Sequence, residues 1–140
     1  NYSDLTDNTI SNFYNSPEKF ISTFSKFSAV SNIYFAGHYH NPKAPKLITL
    51  QDIKQNSFKI DVIADISCDI DGPIVSTIRP STIENPIYGF HKKEAVECNF
   101  LDPSAIAVMA VDNLPCELPR DSSEMFGKMF LNLLENLETT

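Results

Sequence analysis

Basic residues are scarce in this sequence. Its 140 residues include 11 lysines and arginines against 18 aspartates and glutamates, which gives a formal net charge of −7. Nucleic-acid binding needs a basic surface that neutralises phosphates, and the basic residues here form no cluster along the chain. The sequence also lacks any apolar run close to the roughly 20 residues that a membrane-spanning helix needs. We therefore expect neither a nucleic acid nor a membrane as a partner.

Cysteines are few, and their spacing does not match that of a metal-binding motif. Cys68, Cys98 and Cys116 form no Cys-x-x-Cys pair. An odd count without paired spacing argues against a disulfide framework and against a zinc site, so we expect no metal. Reduced thiols and the lack of a basic-then-apolar leader predict a cytoplasmic location. The first residue is Asn rather than Met, which indicates a piece of a longer protein.

Glycine is also scarce, with four residues and no Gly-x-Gly-x-x-Gly spacing. That spacing forms the turn at which many nucleotide-binding domains hold a pyrophosphate, so this sequence contains no such loop. The other totals, 42% hydrophobic and 21% charged residues, are ordinary for one globular domain.

The start of the chain predicts a loop followed by a helix. Residues 1–15 are polar and without periodicity, which is typical of a flexible lead-in. Ser16-Pro17-Glu18 is a helix start, with a cap, a proline in the first turn and an acid. The helical spacing of three phenylalanines then predicts one helix that ends near Ser28 and has an apolar face formed by Phe20, Phe24 and Phe27.

Strand and helix signals then alternate. Residues 33–36 predict a short buried strand. Thr49 and Asp52 have the spacing of a capping box, which predicts a helix to about residue 55. An apolar run over residues 59–64 predicts the next strand. Because helix, strand, helix, strand is the order of parallel strands joined by crossovers, we expect an α/β fold with a parallel sheet.

The second half of the chain predicts one clear strand and one long helix. Residues 73–104 are rich in prolines and turn residues, and only a short strand near residues 74–78 is expected there. Residues 105–111 predict another buried strand. The chain ends in an amphipathic helix, capped by Asp121 or Ser122, whose apolar face contains Phe126, Phe130, Leu133, Leu134 and Leu137. We expect this face to pack on elements formed earlier in the chain.

Three aspartates follow the strand over residues 59–64, and ligands in α/β folds bind where such strands end. One interpretation is structural: Asp65 and Asp69 accept hydrogen bonds from loop amides, and Asp71-Gly72 forms a turn. A second interpretation is a phosphatase. Asp69-Ile70-Asp71-Gly72 resembles the first motif of haloacid-dehalogenase-like phosphatases, in which Asp69 would be the nucleophile, Asp71 the general acid and magnesium would bind at the strand end. Pro73 stands where that motif has Thr.

A third interpretation comes from three blocks taken together. They are Pro-Lys-Ala-Pro-Lys-Leu-Ile-Thr (residues 42–49), Val-Ile-Ala-Asp-Ile-Ser-Cys-Asp (62–69) and Asp-Asn-Leu-Pro-Cys-Glu-Leu-Pro-Arg (112–120). In order and spacing these blocks resemble the later part of the alanine dehydrogenase, pyridine-nucleotide transhydrogenase and saccharopine dehydrogenase (lysine–ketoglutarate reductase) family. The resemblance covers about residues 16–138.

This resemblance implies a fold and a function. Residues 16–118 would be the second half of a Rossmann-like, parallel-sheet nucleotide domain, and residues 119–140 a helix that returns to a substrate domain outside this sequence. The whole would be an NAD(P)-dependent amino-acid oxidoreductase, with NAD or NADP as cofactor and an amino acid, keto acid or their imine as substrate. The fragment would be inactive alone, because the phosphate loop and the proton-transfer Lys and His lie upstream in this family.

The resemblance also assigns site residues. Gly37 and His38 would border the adenosine side of the cofactor, and the nicotinamide pocket would be lined by Ile66, Asp69, Val111, Asn113 and Leu114. Asp69 and Asn113 have a physical reason of their own, because each follows a predicted buried parallel strand and the two side chains can converge. A carboxylate there can hold an ammonium or imine, and an amide can orient a carboxamide or carbonyl.

Two further possibilities are left open. Arg120 could bind a substrate carboxylate, or could simply pair with Glu117 or Asp121. Alanine dehydrogenases have a Gly-Gly pair after the Asp, whereas Ile70 and Asp71 follow it here, so the substrate is open. The last interpretation is a non-catalytic interaction module that associates through the apolar face of its final helix, which leaves a homo-oligomer open as well.

Overall fold

A five-stranded sheet with strand order β1-β2-β5-β3-β4 forms the centre of the molecule. The computed structural model describes residues 10–138, with side chains up to residue 136. The strands are β1 (Ile33–Ala36), β2 (Val62–Asp65), β3 (Ile87–His91), β4 (Glu97–Cys98) and β5 (Ala105–Met109). The helices are α1 (Ile10–Asn15), α2 (Ser25–Ser28), α3 (Leu50–Ile53) and α4 (Pro119–Glu138), with 3-10 helices at Pro17–Lys19 and Leu114–Glu117.

Three of the strands are parallel, as the apolar runs predict. β2 lies between β1 and β5, with Ile63 opposite Tyr34 on one side and Val108 on the other. Ile63 and Val108 are completely buried, which is typical of strands in an α/β sheet. The predicted α/β class is confirmed. β1 forms at its expected bounds and β5 within them, whereas β2 begins later than expected and ends one residue further along, at Asp65.

The expectation that residues 73–104 are irregular is wrong in part. It contains the antiparallel pair β3–β4, and β3 pairs antiparallel with β5, so the sheet is mixed. Near residues 74–78 there is only an isolated bridge between Ile74 and Ile48. Tyr88 and Phe90 are buried in β3, but Gly89 between them interrupts the apolar pattern. Gly89 is needed there because a Cβ atom would lie 2.6 Å from the Asn99 carbonyl oxygen.

The single helix expected over residues 17–28 is wrong. A short 3-10 helix and α2 flank the irregular residues 20–24, and α1 occupies part of the expected lead-in, whose residues 1–9 lie outside the described part. The three phenylalanines share no helix face, because Phe20 and Phe24 lie between the two helices. The Phe20 ring lies edge-on 5.2 Å from the Phe13 ring, and the Phe24 ring lies 4.7 Å from the Tyr34 ring. Phe27 is exposed.

The capping box before α3 is confirmed. The Thr49 hydroxyl accepts a hydrogen bond from the Asp52 amide at 3.2 Å, and the Thr49 amide donates to Asp52 Oδ2 at 2.8 Å. The helix ends at Ile53, slightly before the expected position, and Ile53 packs into the core. This cap fixes the chain within the connection between β1 and β2.

The final helix forms, but its apolar face is uncovered within the described chain. It begins at Pro119, ahead of the two expected caps. The described side chains of the predicted apolar face are all exposed, namely Phe126, Phe130, Leu133 and Leu134. The element that α4 contacts most is the 3-10 helix at Leu114–Glu117. The expected packing on earlier elements is therefore wrong for the described residues, and the Leu137 side chain lies outside them. No described helix is long and apolar enough to cross a membrane.

A pair of glycine substitutions tests the packing of the hairpin. In Gly89→Ala the new methyl group would meet the Asn99 backbone, which cannot rotate away, so we expect the free energy of unfolding to fall by about 1–3 kcal/mol. Gly37→Ala is the matched control, since no atom lies within 4 Å of its Cβ position, and its effect should stay within about 0.5 kcal/mol. Urea unfolding measures both. Equal losses in the two variants would contradict the close approach at Gly89.

Candidate functional site

The carboxyl ends of the parallel strands β1, β2 and β5, here called their exits, lie at one edge of the sheet. The amide of Ile66 donates to the Ala36 carbonyl oxygen at 2.7 Å, and the amide of Ser67 donates to the same oxygen at 3.2 Å. The exits of β1 and β2 are therefore joined directly. Gly37 follows β1 and Ile66 follows β2, so two residues that the sequence assigns to the site come to neighbouring positions at this edge.

The loop after β2 is also joined to the exit of β5. The Cys68 thiol donates a hydrogen bond to the Ala110 carbonyl oxygen at 3.1 Å. Asp69 follows Cys68 along the chain, and Val111 follows Ala110. Val111 is buried, Asp69 is half-buried and Asn113 is exposed. The structure thus puts Asp69 and Asn113 in two loops that are linked to each other, and the expected convergence of their side chains stays a prediction.

A tight turn follows Asp69. The Gly72 amide donates to the Asp69 carbonyl oxygen at 3.0 Å, and Asp71 has a positive φ of 55°. Glycine is required at position 72, since a Cβ atom there would lie 2.6 Å from the Asp69 Cβ atom. The Asp71 carbonyl oxygen also accepts a hydrogen bond from Lys46 Nζ at 3.1 Å. The turn expected at Asp71-Gly72 is therefore present, and it starts directly at Asp69.

Of the three aspartates Asp65, Asp69 and Asp71, Asp65 is the one that is fully buried. Its Oδ1 atom accepts hydrogen bonds from the Ser67 hydroxyl at 2.6 Å and from the Cys68 amide at 3.1 Å. Its Oδ2 atom accepts from the Thr77 hydroxyl at 2.7 Å. The spacing of Asp65 and Ser67 is a local signal that could have identified the first contact. Thr77 lies 12 residues away and carries no local signal, so sequence reasoning missed it.

The Cys68 thiol is held in its neutral form. Burial raises the pKa of this thiol, and the charges of Asp112, Asp65 and Asp69 raise it further. A neutral thiol can donate to the Ala110 carbonyl oxygen, whereas a thiolate could not. Cys68 therefore serves as a link between two loops and not as a nucleophile, in line with its acidic surroundings.

Asn113 is the N-cap residue of the 3-10 helix that begins at Leu114. The Asn113 carboxamide oxygen accepts a hydrogen bond from the Cys116 thiol at 3.0 Å, and the Asn113 carbonyl oxygen accepts from the Cys116 amide at 3.0 Å. The carboxamide oxygen is thus already engaged. Within the described residues, the amide NH2 group is the part of this side chain left to donate to a ligand.

A cavity lies beside the exit of β1. It has a volume of about 340 Å³ and is lined by aromatic rings, including Phe20 and Phe24, together with His38 and His40. His38 Nε2 is buried and has no hydrogen-bond partner among the described residues. Gly37 faces open space. The chain thus provides an apolar cavity with one unsatisfied ring nitrogen where the resemblance expects the adenosine side of a cofactor.

Two expectations have less structural support. Arg120 lies at the start of α4 and is exposed, and none of the ion pairs between described side chains joins it to Glu117 or Asp121. Within residues 10–138, no three His, Cys, Asp or Glu side chains are grouped so that they could hold a metal ion. The phosphatase interpretation, with Asp69 and Asp71 at a magnesium ion, stays a prediction.

The sheet and its exits define a class of protein: an α/β domain of the Rossmann-like type, in which loops after parallel strands form the candidate ligand edge. A family model described as "Alanine dehydrogenase/PNT, C-terminal domain" matches residues 36–140, which is most of the sequence. The chain belongs to this family. The recognition made from three sequence blocks is confirmed.

Several curated proteins are similar to this chain. Alpha-aminoadipic semialdehyde synthase of Arabidopsis thaliana is 28% identical over 129 residues, which cover 89% of this chain and 12% of that protein. The mitochondrial protein of the same name from Bos taurus is 27% identical over 139 residues, covering 86% and 15%. Saccharopine dehydrogenase [NAD(+), L-lysine-forming] of Schizosaccharomyces pombe is 29% identical over 101 residues, covering 72% and 26%. The chain therefore spans only a small part of each relative.

The raised pKa of Cys68 predicts a pH dependence of stability. An unfolded thiol titrates near 9.0, and the folded chain titrates higher, so this contribution is complete below about pH 9 and is lost as the pH rises through the folded value. We expect the urea midpoint to fall on going from about pH 8 to about pH 10, and Cys68→Ala to make that fall smaller.

Cys116→Ala is the control for this experiment, because Cys116 is exposed. It should leave the fall in the urea midpoint unchanged. Alkylation by iodoacetamide gives a second measurement, in which the exposed Cys116 reacts before Cys68, which is half-buried and whose raised pKa disfavours the reactive thiolate. Faster alkylation of Cys68 than of Cys116 in the folded chain would contradict this account.

Proposed function

We propose that this chain is the later half of the nucleotide-binding domain of an NAD(P)-dependent amino-acid oxidoreductase, and that it works within a longer polypeptide. The observation that carries the proposal is the linked pair of loops after β2 and β5, with Asp69 in one and Asn113 in the other. Membership of the family and the names of the relatives support the same assignment.

The residues at this edge fit a dinucleotide laid across the strand exits. His38 and the open position of Gly37 would border the adenosine, beside the aromatic cavity. Ile66, Val111 and Leu114 would provide apolar contacts to the nicotinamide. The cofactor, NAD or NADP, would supply the hydride chemistry, and the residues of this chain would bind the cofactor and orient it.

Two polar side chains would orient the reacting groups. The Asp69 carboxylate would hold the substrate ammonium or imine, whose positive charge it complements. The Asn113 NH2 group would donate to the nicotinamide carboxamide or to a substrate carbonyl, since its oxygen is engaged by Cys116. Arg120 would contact a substrate carboxylate. We propose an amino acid or an adduct of an amino acid and a keto acid as the substrate, in line with the word saccharopine in the name of a relative.

We further propose that α4 leads back to a substrate domain, which would cover its exposed apolar face. On this view residues 16–118 belong to the nucleotide domain, residues 119–140 to the returning helix, and the chain is inactive by itself. The cytoplasm stays our proposed location, although the Bos taurus relative is named as mitochondrial.

Matched substitutions of two neighbouring acids test the function. In the full-length protein that contains this chain, Asp69→Asn should lower nicotinamide-dependent turnover of amino-acid substrates by about 100-fold, because a positioned charge at the reacting group is lost. Asp71→Asn should change turnover by less than about threefold, since the Asp71 side chain is exposed and its backbone forms the turn.

The same pair of variants separates the alternatives. The measurement is steady-state reduction of NAD(P) with a panel of amino acids, beside phosphate release in the presence of magnesium. Full turnover in Asp69→Asn would overturn the proposed site. Magnesium-dependent phosphate release that is lost in both variants would instead support the phosphatase interpretation.

A further inference from the structure

Asp65 has no role in the proposed chemistry, yet its carboxyl group is completely buried. It ends β2, the strand between β1 and β5. Burying a carboxyl group is costly unless its oxygens accept hydrogen bonds. Here three neutral donors supply them: the Ser67 hydroxyl, the Cys68 amide and the Thr77 hydroxyl, at 2.6, 3.1 and 2.7 Å.

One of these hydrogen bonds holds an unusual backbone conformation. Cys68 has a φ of 49°, in the left-handed region that favours glycine. Such a conformation persists in a non-glycine residue only when the surroundings impose it. Asp65 holds the Cys68 amide from one side, and the Ala110 carbonyl oxygen holds the Cys68 thiol from the other. The residue that follows this constrained position is Asp69.

The hydrogen bond to Thr77 extends the constraint to the second half of the sheet. Thr77 is almost completely buried, and it lies between Ile74, which forms a bridge with Ile48, and Ser81, which forms one with Val111 after β5. Next to it, the Ser76 carbonyl oxygen accepts a hydrogen bond from the Tyr88 hydroxyl at 3.0 Å, and that hydroxyl accepts one from the Ile78 amide at 3.1 Å. Asp65 thus connects the loop after β2 to a segment that β3 holds in place.

We propose that Asp65 is a positioning residue: its buried carboxylate fixes residues 66–68 so that the Asp69 side chain meets the loop after β5. The inference rests on the proposed function, because it assigns Asp69 the ligand-facing role. Asp65 itself touches neither substrate nor cofactor. Asp65 thus holds the loop, and Asp69, four residues later, faces the ligand.

Thr77 gives the cleanest test, because it lies outside the proposed ligand contacts. In the full-length protein, Thr77→Val removes the hydroxyl donor and keeps the branched shape, whereas Thr77→Ser keeps the donor. We expect Thr77→Val to raise the KM for the nicotinamide nucleotide and to lower kcat, by about tenfold or more in kcat/KM. Thr77→Ser should return both constants to near the parental values.

A readout that does not depend on turnover accompanies the kinetics. Hydrogen exchange at the Cys68 amide should be about tenfold faster in Thr77→Val than in the parent, because the carboxylate that accepts from this amide is less well held. Ser67→Ala removes a second donor to Asp65 from a half-buried position, and serves as the variant of choice if Thr77→Val fails to fold. It should speed the same exchange.

Thr49→Val is the matched control, since it breaks another Thr–Asp pair far along the chain. There the Thr49 hydroxyl donates to Asp52 Oδ2 at 2.6 Å within the capping box. We expect this variant to lower the urea midpoint while KM, kcat and Cys68 exchange stay unchanged. If Thr77→Val also changes only the urea midpoint, the positioning role is overturned and Asp65 is simply part of the fold.

The design separates failure of the inference from failure of the proposed function. Full turnover in Asp69→Asn would refute the proposed function. In that case Cys68 exchange still decides whether Asp65 holds the loop, and unchanged exchange in Thr77→Val and Ser67→Ala would refute the positioning role independently. Slow turnover in Asp69→Asn and Thr77→Val, with rescue in Thr77→Ser, supports both.

Discussion

The buried position of β2 constrains everything else in this structure. β2 is hydrogen-bonded on both sides by parallel strands, so its end, the end of β1 and the end of β5 lie at one edge of the sheet. At that end the chain places Asp65, a carboxylate removed from water. Its oxygens can be satisfied only if the following loop and the crossing segment with Thr77 come to it. The geometry of the candidate site follows from that requirement.

This constraint explains how neighbouring acids acquire different roles. Asp65 is in the strand and faces inward, where protein donors surround it. Asp69 comes after the left-handed residue Cys68, in a half-buried loop that the Ala110 carbonyl oxygen anchors. An acid in that place can interact with a cationic group of a ligand, which is the role that the proposed oxidoreductase function gives it. The backbone amide of Cys68, which donates to Asp65, connects the buried Asp65 to Asp69, the next residue along the chain.

Local signals in the sequence were enough for the parallel strands, and for the Thr49–Asp52 capping box, because apolar runs and cap spacing act over a few residues. The hairpin β3–β4 was missed because its stability comes from pairing with β5, which no local pattern records. The single helix over residues 17–28 is wrong because residues 20–24 are irregular, and Phe24 packs on Tyr34 of β1 as well as on Phe27. The strand exits could be predicted as a candidate site, but the contact of Thr77 with Asp65 could not, since only the tertiary fold brings the two residues together.

The proposed function requires that the linked strand exits bind a nicotinamide nucleotide. Hydrogen exchange of the full-length protein, with and without saturating NAD⁺ or NADP⁺, tests it most directly. We expect protection at residues 66–72 and 111–114, with β4 unaffected. Protection confined to the β3–β4 hairpin, or no change anywhere in this chain with either nucleotide, would contradict it.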